Sequence, residues 1–591
     1  DAALLGAREL ANPIIAISVV LVAVYVPIGF MGGLTGVLFT EFAFTLAGAV
    51  AISAIIALTL SPMMCSQFLK GTGQSRLGAF VDRQFGRLEK NYEKALHSSL
   101  NFLSVVAVFS VIILTSLYFL YAGSKSELAP TEDEGIIISQ LTASPNANLA
   151  QTQLYSKQVF EAFSTFSETD HVFQLDGMGG LNMSIGGMVL KPWDERIQTA
   201  NQLQPQVQAL LAQITGAKIA AFQRAPLPGA GKGLPMQFVI KTTDPYERLN
   251  EVSQSMMGKA QASGLFVYLD SDLKIDKAQA TLELDRDKAA LLGLNMKDLG
   301  SLLQAALSQG YINFFNFFDR SYKVIPQVIR NERINYDQML NYYIKAADGT
   351  SVPLSTVTHL KTKVVPESIN HFQQLNSATI SGVPAPGITL GEAVQKMKSL
   401  AKDTLPQGYS ADYGGEARQY EQEGNSLLVT FFFALVIIFL SLAALFESFR
   451  DPLIVLISVP MSICGAMIFI NLGVGGASLN IYTEVGLVTL IGLISKHGIL
   501  IVQFANDLQK EGRGKREAIE QAAVIRLRPI LMTTAAMVLG VVPLITATGA
   551  GAVSRFSIGL VIASGISIGT FFTLFVVPAM YMFLAHEVKK G

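Results

Sequence analysis

The sequence predicts an α-helical polytopic membrane protein that carries one large external α+β domain. Three observations predict it. Of the 591 residues, 50% are hydrophobic and only 15% charged, against roughly 25% charged in soluble domains. Eight stretches are apolar enough, and close enough to twenty residues, to cross a bilayer. They fall at about 12–31, 37–65, 101–122, 427–447, 452–472, 481–505, 529–548 and 556–585. Between the third and fourth lies 123–426, which is soluble in composition. The chain thus divides into spans at 1–122, an external domain at 123–426 and spans again at 427–591.

The connections orient the spans. Segment 66–100 holds Lys70, Arg76, Arg83, Arg87, Lys90 and Lys94, and segment 506–528 holds Lys510, Arg513, Lys515, Arg516, Arg526 and Arg528. Lys589 and Lys590 follow the last span, whereas Met31–Val37 and Gly473–Asn480 carry no Lys or Arg. Basic loops stay in the cytoplasm, so both ends of the chain lie inside and 123–426 outside. Pro13 and Pro529 sit where a helix could start, a position that tolerates the missing N–H. Residues 79–98 form a helix with Phe80, Leu88, Tyr92, Ala95 and Leu96 along one stripe, suited either to the inner membrane surface or to packing on protein.

The external domain alternates strand and helix signals. Gly135–Leu141, Asn148–Phe163 and Val172–Leu175 read strand, helix, strand; so do Met236–Lys241, Glu247–Ala262 and Leu265–Leu269, and again Ala378–Ile380, Leu390–Ala401 and Tyr409–Tyr413. Three such units imply several small α+β subdomains rather than one large sheet. The aromatic run Tyr311–Asp319 reads as a hairpin into a separate subdomain.

Function classes narrow quickly. A net charge of −1 argues against a nucleic-acid partner. The two cysteines, Cys65 and Cys464, lie in or beside apolar runs and build no disulfide framework. No phosphate loop, metal-spaced His/Cys set or nucleophile elbow is present, so the chain does not read as an enzyme. What remains is Lys496, with Val485–Ile494 before it and Gly498–Val502 after it. An ammonium at that depth costs about 2.5–3.5 kcal/mol on insertion scales, and its default reading is a functional site with an acidic partner. Glu41 and Glu484 lie near outer ends of spans and read as interfacial.

Several runs carry a resemblance: Pro27–Gly36 (PIGFMGGLTG), Leu58–Cys65 (LTLSPMMC), Leu128–Gly135 (LAPTEDEG), Gly492–Asn506 (GLISKHGILIVQFAN) and Arg526–Thr533 (RLRPILMT). In this order and spacing the chain resembles the C-terminal portion of a resistance–nodulation–cell division (RND) multidrug efflux transporter, of the hydrophobe/amphiphile branch. The abrupt start at Asp1 fits such a portion. The resemblance implies that the chain supplies family spans five to twelve, and that 123–426 is periplasmic and built of βαβ-type porter subdomains plus a docking subdomain. It implies proton/drug antiport in the bacterial inner membrane with no cofactor beyond the coupling proton. It also implies a homotrimer bound to a periplasmic adaptor and an outer-membrane channel, with drug-like small molecules as substrates.

Site residues follow by resemblance. Lys496, Arg526 and Thr533 match a proton relay whose acids sit in a span outside this chain. Arg526 and Thr533 are two turns apart on one helical face, about 10 Å along the axis. Arg526 could instead be an anchor at the cytoplasmic mouth, and Thr533 a hydroxyl bonded back to its own helix. His497 stands where the family usually has Asn, either joining the relay or packing. The segment 172–190 matches a pocket wall and a glycine-rich switch loop: Phe173, Leu175, Met178, Met183, Met188 and Phe222 as walls, Gly177, Gly179, Gly180, Gly186 and Gly187 as the loop. Without the resemblance these residues read as a core strand and a surface turn. Met178, Gly180 and Gly187 replace phenylalanines of the family. The three methionines raise an alternative, export of Cu(I) or Ag(I). A non-transporting membrane scaffold or protein-export accessory is the alternative of another class, and it has no need of Lys496.

Overall fold

The computed structural model describes residues 2–68, 76–229, 233–307, 310–424 and 426–587; Lys70, Lys589 and Lys590 lie outside them. Among the described residues seven helices are long and apolar enough to cross a membrane: Gly6–Gly29, Gly33–Phe68, Leu103–Gly123, Arg450–Asn471, Ile481–Lys510, Lys515–Ile545 and Ala552–Leu584. An eighth helix, Ser426–Phe446, is apolar throughout.

The prolines correct one expectation. Pro13 and Pro529 do not open helices; they lie inside Ala2–Gly29 and Lys515–Ile545, the latter starting fourteen residues before its proline. In lipid the carbonyl freed by proline is re-satisfied by neighbouring helices and local adjustment, so proline interrupts a spanning helix less than a soluble one. Pro460 does leave a mark. The Leu456 carbonyl, four residues before it, loses its helical partner, and the segment divides into Arg450–Leu456 and Ser458–Asn471.

Ile481–Lys510 is the central helix, with twenty of its thirty residues buried. Val485, Val488, Ile491, Ile494, Ile499 and Val502 are at most 2% exposed, so apolar side chains bury about half of its circumference. It begins cleanly: the Asn480 side chain accepts from Tyr482 N and Thr483 N while Thr483 Oγ1 accepts from Asn480 N, a reciprocal cap. The helix Arg76–Asn101 packs its C-terminal half on protein. Leu96 and Leu100 are buried, Tyr92 OH donates to the Leu574 carbonyl at 2.6 Å, and Asp82 pairs with Arg528 at 3.0 Å.

The external domain contains two sheets of one design. In the first lobe, Ile136–Ala143, Thr169–Asp176, Met183–Leu190 and Ala217–Phe222 form a sheet in the order second, third, first, fourth. Every neighbouring pair is antiparallel, so the first and second strands run parallel with the third between them. This is a split βαβ arrangement. Helices Leu149–Ser164 and Ala200–Leu211 cover one face, over a core of Ile137, Leu141, Phe163, Met188, Leu203 and Val207.

The second lobe repeats this order with Met236–Thr242, Phe266–Ser271, Leu375–Pro384 and Ser410–Tyr413. The second and third strand–helix–strand units of the sequence are therefore one sheet, not two subdomains: Met236–Thr242 pairs with both Leu375–Pro384 and Ser410–Tyr413. Local pattern reveals each unit but not which units share hydrogen bonds. Segment 275–366 emerges from this lobe on the two-stranded ribbon Ile275–Leu284/Thr358–Pro366. At its far side stands the aromatic hairpin Asn313–Phe317/Arg320–Val324, turned by Phe318 and Asp319 at φ 46° and 57°.

A short strap ties the external domain to the central helix. Leu479 N donates to the Lys125 carbonyl (2.7 Å), Glu127 N to the Leu479 carbonyl (3.0 Å) and Ile481 N to the Leu128 carbonyl (3.1 Å). Ser478 Oγ donates to the Glu127 carboxylate.

Candidate functional site

Lys496 sits mid-helix and half-buried, and its Nζ reaches Met537 Sδ at 3.7 Å. Among the described residues it forms no ion pair. Met537 lies on Lys515–Ile545, one turn beyond Thr533, and on the same helix the Arg526 guanidinium stacks 4.6 Å over the Phe504 ring. Residues 496 with 537, and 504 with 526, are the contacts of two antiparallel helices lying side by side. Arg526, Thr533 and Met537 recur at seven and four residues, so one face of that helix meets the helix carrying Lys496. Thr533 Oγ1 bonds back to the Ile530 carbonyl at 2.9 Å, and Arg526 Nε is buried without a hydrogen-bond partner.

His497 belongs to a different neighbourhood. Successive helical residues point about 100° apart, and its ring turns toward Ala552–Leu584. Its Nδ1 is 3.4 Å from Thr570 Oγ1, which is 3.1 Å from Thr534 Oγ1. Nε2 is buried with no hydrogen-bond partner. The geometry separates His497 from Lys496 rather than joining them. Met537, Thr534 and Thr570 escaped the reading of the sequence. Met537 was accessible there through its four-residue spacing from Thr533; Thr570 was not, since only packing brings its helix alongside.

In the first lobe the predicted pocket residues divide between two faces. The register Phe173↔Gly187, Gly187↔Ile138 and Ile138↔Phe222 sets these four in one row across the sheet, on the face away from the helices. Leu175 and Met183 share that face. A Cβ on Gly187 would overlap the Phe173 ring, and one on Gly186 the Gln174 side chain. Gly186 and Gly187 are therefore strand residues that seat neighbouring side chains, not part of a switch loop. The turn proper is Gly177–Asn182, with Gly177 and Gly179 at φ 82° and 95°, closed by Gly177 N to the Met183 carbonyl at 2.8 Å. Gly179, Gly180 and Met183 line a cavity of about 660 Å³ between the lobes, facing Tyr268, Asp270 and Asp272. Phe173 and Leu175 are exposed outside it, Met178 is exposed on the turn, and Phe222 is buried with Ala220, Leu234 and Val383.

Met188 is a correction: it is fully buried in the core beneath the helices. Met183 and Met188 are five residues apart on one strand and so point to opposite faces. The three methionines cannot converge on one ion, and no group of metal-ligating His, Cys, Asp or Glu occurs among the described residues.

At the strap, two carboxyls are held far from their ordinary range. Burial pushes Glu127 up to about 7, against the opposing Ser478 hydrogen bond. Burial, then the neighbouring Glu127 carboxylate, pushes Glu416 up to about 8. Neither was singled out in the sequence, where both lie in polar surroundings.

The fold is that of a multi-pass helical protein with a large α+β domain between its apolar helices. Residues 1–585 match the AcrB/AcrD/AcrF family, and the chain belongs to that family. It is 44% identical, over its full length, to an uncharacterized transporter of Haemophilus influenzae, covering 58% of that protein. It is 29% identical to the multidrug export protein AcrF of Escherichia coli, with 98% of this chain and 58% of AcrF aligned. It is also 29% identical to the toluene efflux pump membrane transporter TtgB of Pseudomonas putida, with 97% of this chain and 56% of TtgB aligned. The chain thus spans somewhat over half the length of the curated relatives it matches.

Proposed function

We propose that this chain is the C-terminal part of a proton-driven exporter of drugs and other amphiphilic small molecules. The observation that carries the reading is Lys496: an ammonium in an apolar helix that meets a thioether and, among the described residues, no carboxylate. Such a group is costly unless a carboxylate meets it in part of a cycle. The expected carboxylates belong to a span outside these 591 residues. In the proposed cycle protons arrive from the periplasm and neutralise them, the pairing with Lys496 is lost, and the helix Ile481–Lys510 shifts. The strap at 124–128 and 477–481 passes that shift to the periplasmic lobes, which act as porter subdomains, with 275–366 as the docking subdomain. The cleft holding Gly179, Gly180 and Met183 opens and closes on substrate. The names of AcrF and TtgB support drugs or solvents as cargo. A homotrimer in the inner membrane, joined to an adaptor and an outer-membrane channel, completes the proposal.

The test is Lys496→Ala in the complete protein. Resistance to exported compounds should fall to the level of a deletion strain while the amount in the membrane is unchanged. Unaltered inhibitory concentrations would remove Lys496 from the coupling.

A further inference from the structure

Leu128–Gly135 leads from the strap into the first strand of the first lobe, and two consecutive acids in it reach different domains. Glu132 faces the apolar helices. One of its carboxylate oxygens accepts from Ser554 N at 2.7 Å and from Ser554 Oγ, the other from Val553 N at 3.3 Å. These donors sit in the first turn of Ala552–Leu584, where backbone N–H groups have no partner within the helix. The residue before that helix, Gly551, has φ 68° and no side chain to cap it. A carboxylate 422 residues earlier in the chain does so instead, with the helix dipole in its favour.

Asp133 faces the lobe. It accepts from Ala200 N at 3.0 Å, at the start of helix Ala200–Leu211, and pairs with Arg196 at 3.1 Å. The backbone is fixed from the same side: Trp193 Nε1 donates to the Asp133 carbonyl at 3.1 Å, and Leu190 N to the Gly135 carbonyl at 2.8 Å. Adjacent residues thus hold the N-termini of two helices, one in each domain, with a single planar peptide unit between them. The lobe meets the same helix end a second time, since a Cβ on Gly549 would lie 3.9 Å from the Trp193 ring. Farther in, Ala552–Leu584 lies tightly along the helix carrying Lys496. A Cβ on Gly565 would overlap the Leu490 side chain, and His497 Nδ1 is 3.4 Å from Thr570 Oγ1. Packing this close transmits displacement.

We propose that Glu132 is a positioning residue for export: it ties the outer end of Ala552–Leu584 to the first lobe, so that movement of that helix is carried through Asp133 to Ala200–Leu211. The strap holds the lobe at one point, the outer end of Ile481–Lys510, about which it could pivot. The Glu132 clamp holds it at a second, and a body held at two points must follow both helices. The lobe then carries its side of the cleft, with Gly179, Gly180 and Met183, as a unit. The inference rests on the export reading for the motion it transmits, not on which group takes the proton.

Export and binding by the complete protein, measured separately, test it. The probes are ethidium, a lipophilic cation, and toluene, a neutral solvent. In proteoliposomes Glu132→Ala should lower the maximal export rate per binding site about tenfold, while the Kd of the same probe in lipid nanodiscs stays within about twofold. A carboxylate that only capped the helix would change the amount of folded protein, and hence the number of sites, but not the rate per site. Ser554→Ala, which weakens the clamp from the other side, should lower the rate about threefold. The double variant should be no slower than Glu132→Ala, because both substitutions remove the same contact. An unchanged rate per site in Glu132→Ala would overturn the inference. So would a matching loss of probe affinity, or multiplicative effects of the two substitutions. Export of neither probe by wild-type protein would overturn the export reading and this inference with it. Lys496→Ala separates the two: normal export there with slow export in Glu132→Ala removes Lys496 from the coupling and leaves the clamp, and the converse removes only the clamp.

Discussion

Two cations drawn away from water, the buried Arg196 side chain in the first lobe and the half-buried Lys496 in the helix Ile481–Lys510, are handled in opposite ways. The Arg196 side chain is 2% exposed and bonds both oxygens of Asp133 at 3.1–3.2 Å. Asp133 also accepts from Gly135 N and Ala200 N at 3.0 Å. Lys496 has one thioether at 3.7 Å. A charge paired on several sides fixes a structure, here the junction between Leu128–Gly135 and the helix Ala200–Leu211. In the proposed cycle, a charge without its counter-charge is held ready for a second state.

The comparison breaks most visibly at Asp133. Asp133→Asn should cost about 3–5 kcal/mol, because it leaves a buried guanidinium uncompensated. Trp193, the single tryptophan, reports on this site directly: its Nε1 donates to the Asp133 carbonyl at 3.1 Å and Arg196 stacks on its ring. Its fluorescence should therefore show an early thermal transition in Asp133→Asn. Lys496→Met should show none, since it replaces an unpaired charge by an apolar group of similar length. An equal loss of stability in both variants would erase the distinction.

Met188→Ala comes next, with an expected cost of about 2–5 kcal/mol for a cavity in the core of the first lobe. Met183→Ala, on the open face, should be nearly neutral for stability. The same tryptophan melting curves distinguish them, and equal effects would contradict the assignment of faces.

The last effect, that of pH, is confined to the strap. Glu127 and Glu416 are held near 7 and 8 from an ordinary 4.5. The folded form therefore holds more protons than the unfolded one between about pH 4.5 and 8, and stability falls as pH rises through that window. The slope is at most ~1.4 kcal/mol per pH unit for each proton. Protection of 124–128 and 477–481 against hydrogen exchange, taken relative to the intrinsic rate at each pH, should be greater at pH 5 than at pH 8, and Glu416→Gln should flatten the difference. Protection that rises with pH would refute the assignment.

Much of this molecule is legible in its sequence because its strongest signals are local. Apolar runs as long as the bilayer is thick gave the spans, and the 526–533 spacing gave one helical face. Lys496 stood out because no local partner offsets its cost. Contacts between segments distant in the chain were decided by the tertiary structure. Hydrogen bonds between Met236–Thr242 and strands more than 130 residues later merged two apparent units into one sheet. Register set Gly187 under the Phe173 ring and took it out of the loop. Packing turned His497 away from Lys496 toward Thr570. Local pattern records which residues avoid water; which residues they meet instead depends on the closing of long loops, and that is settled only when the chain folds.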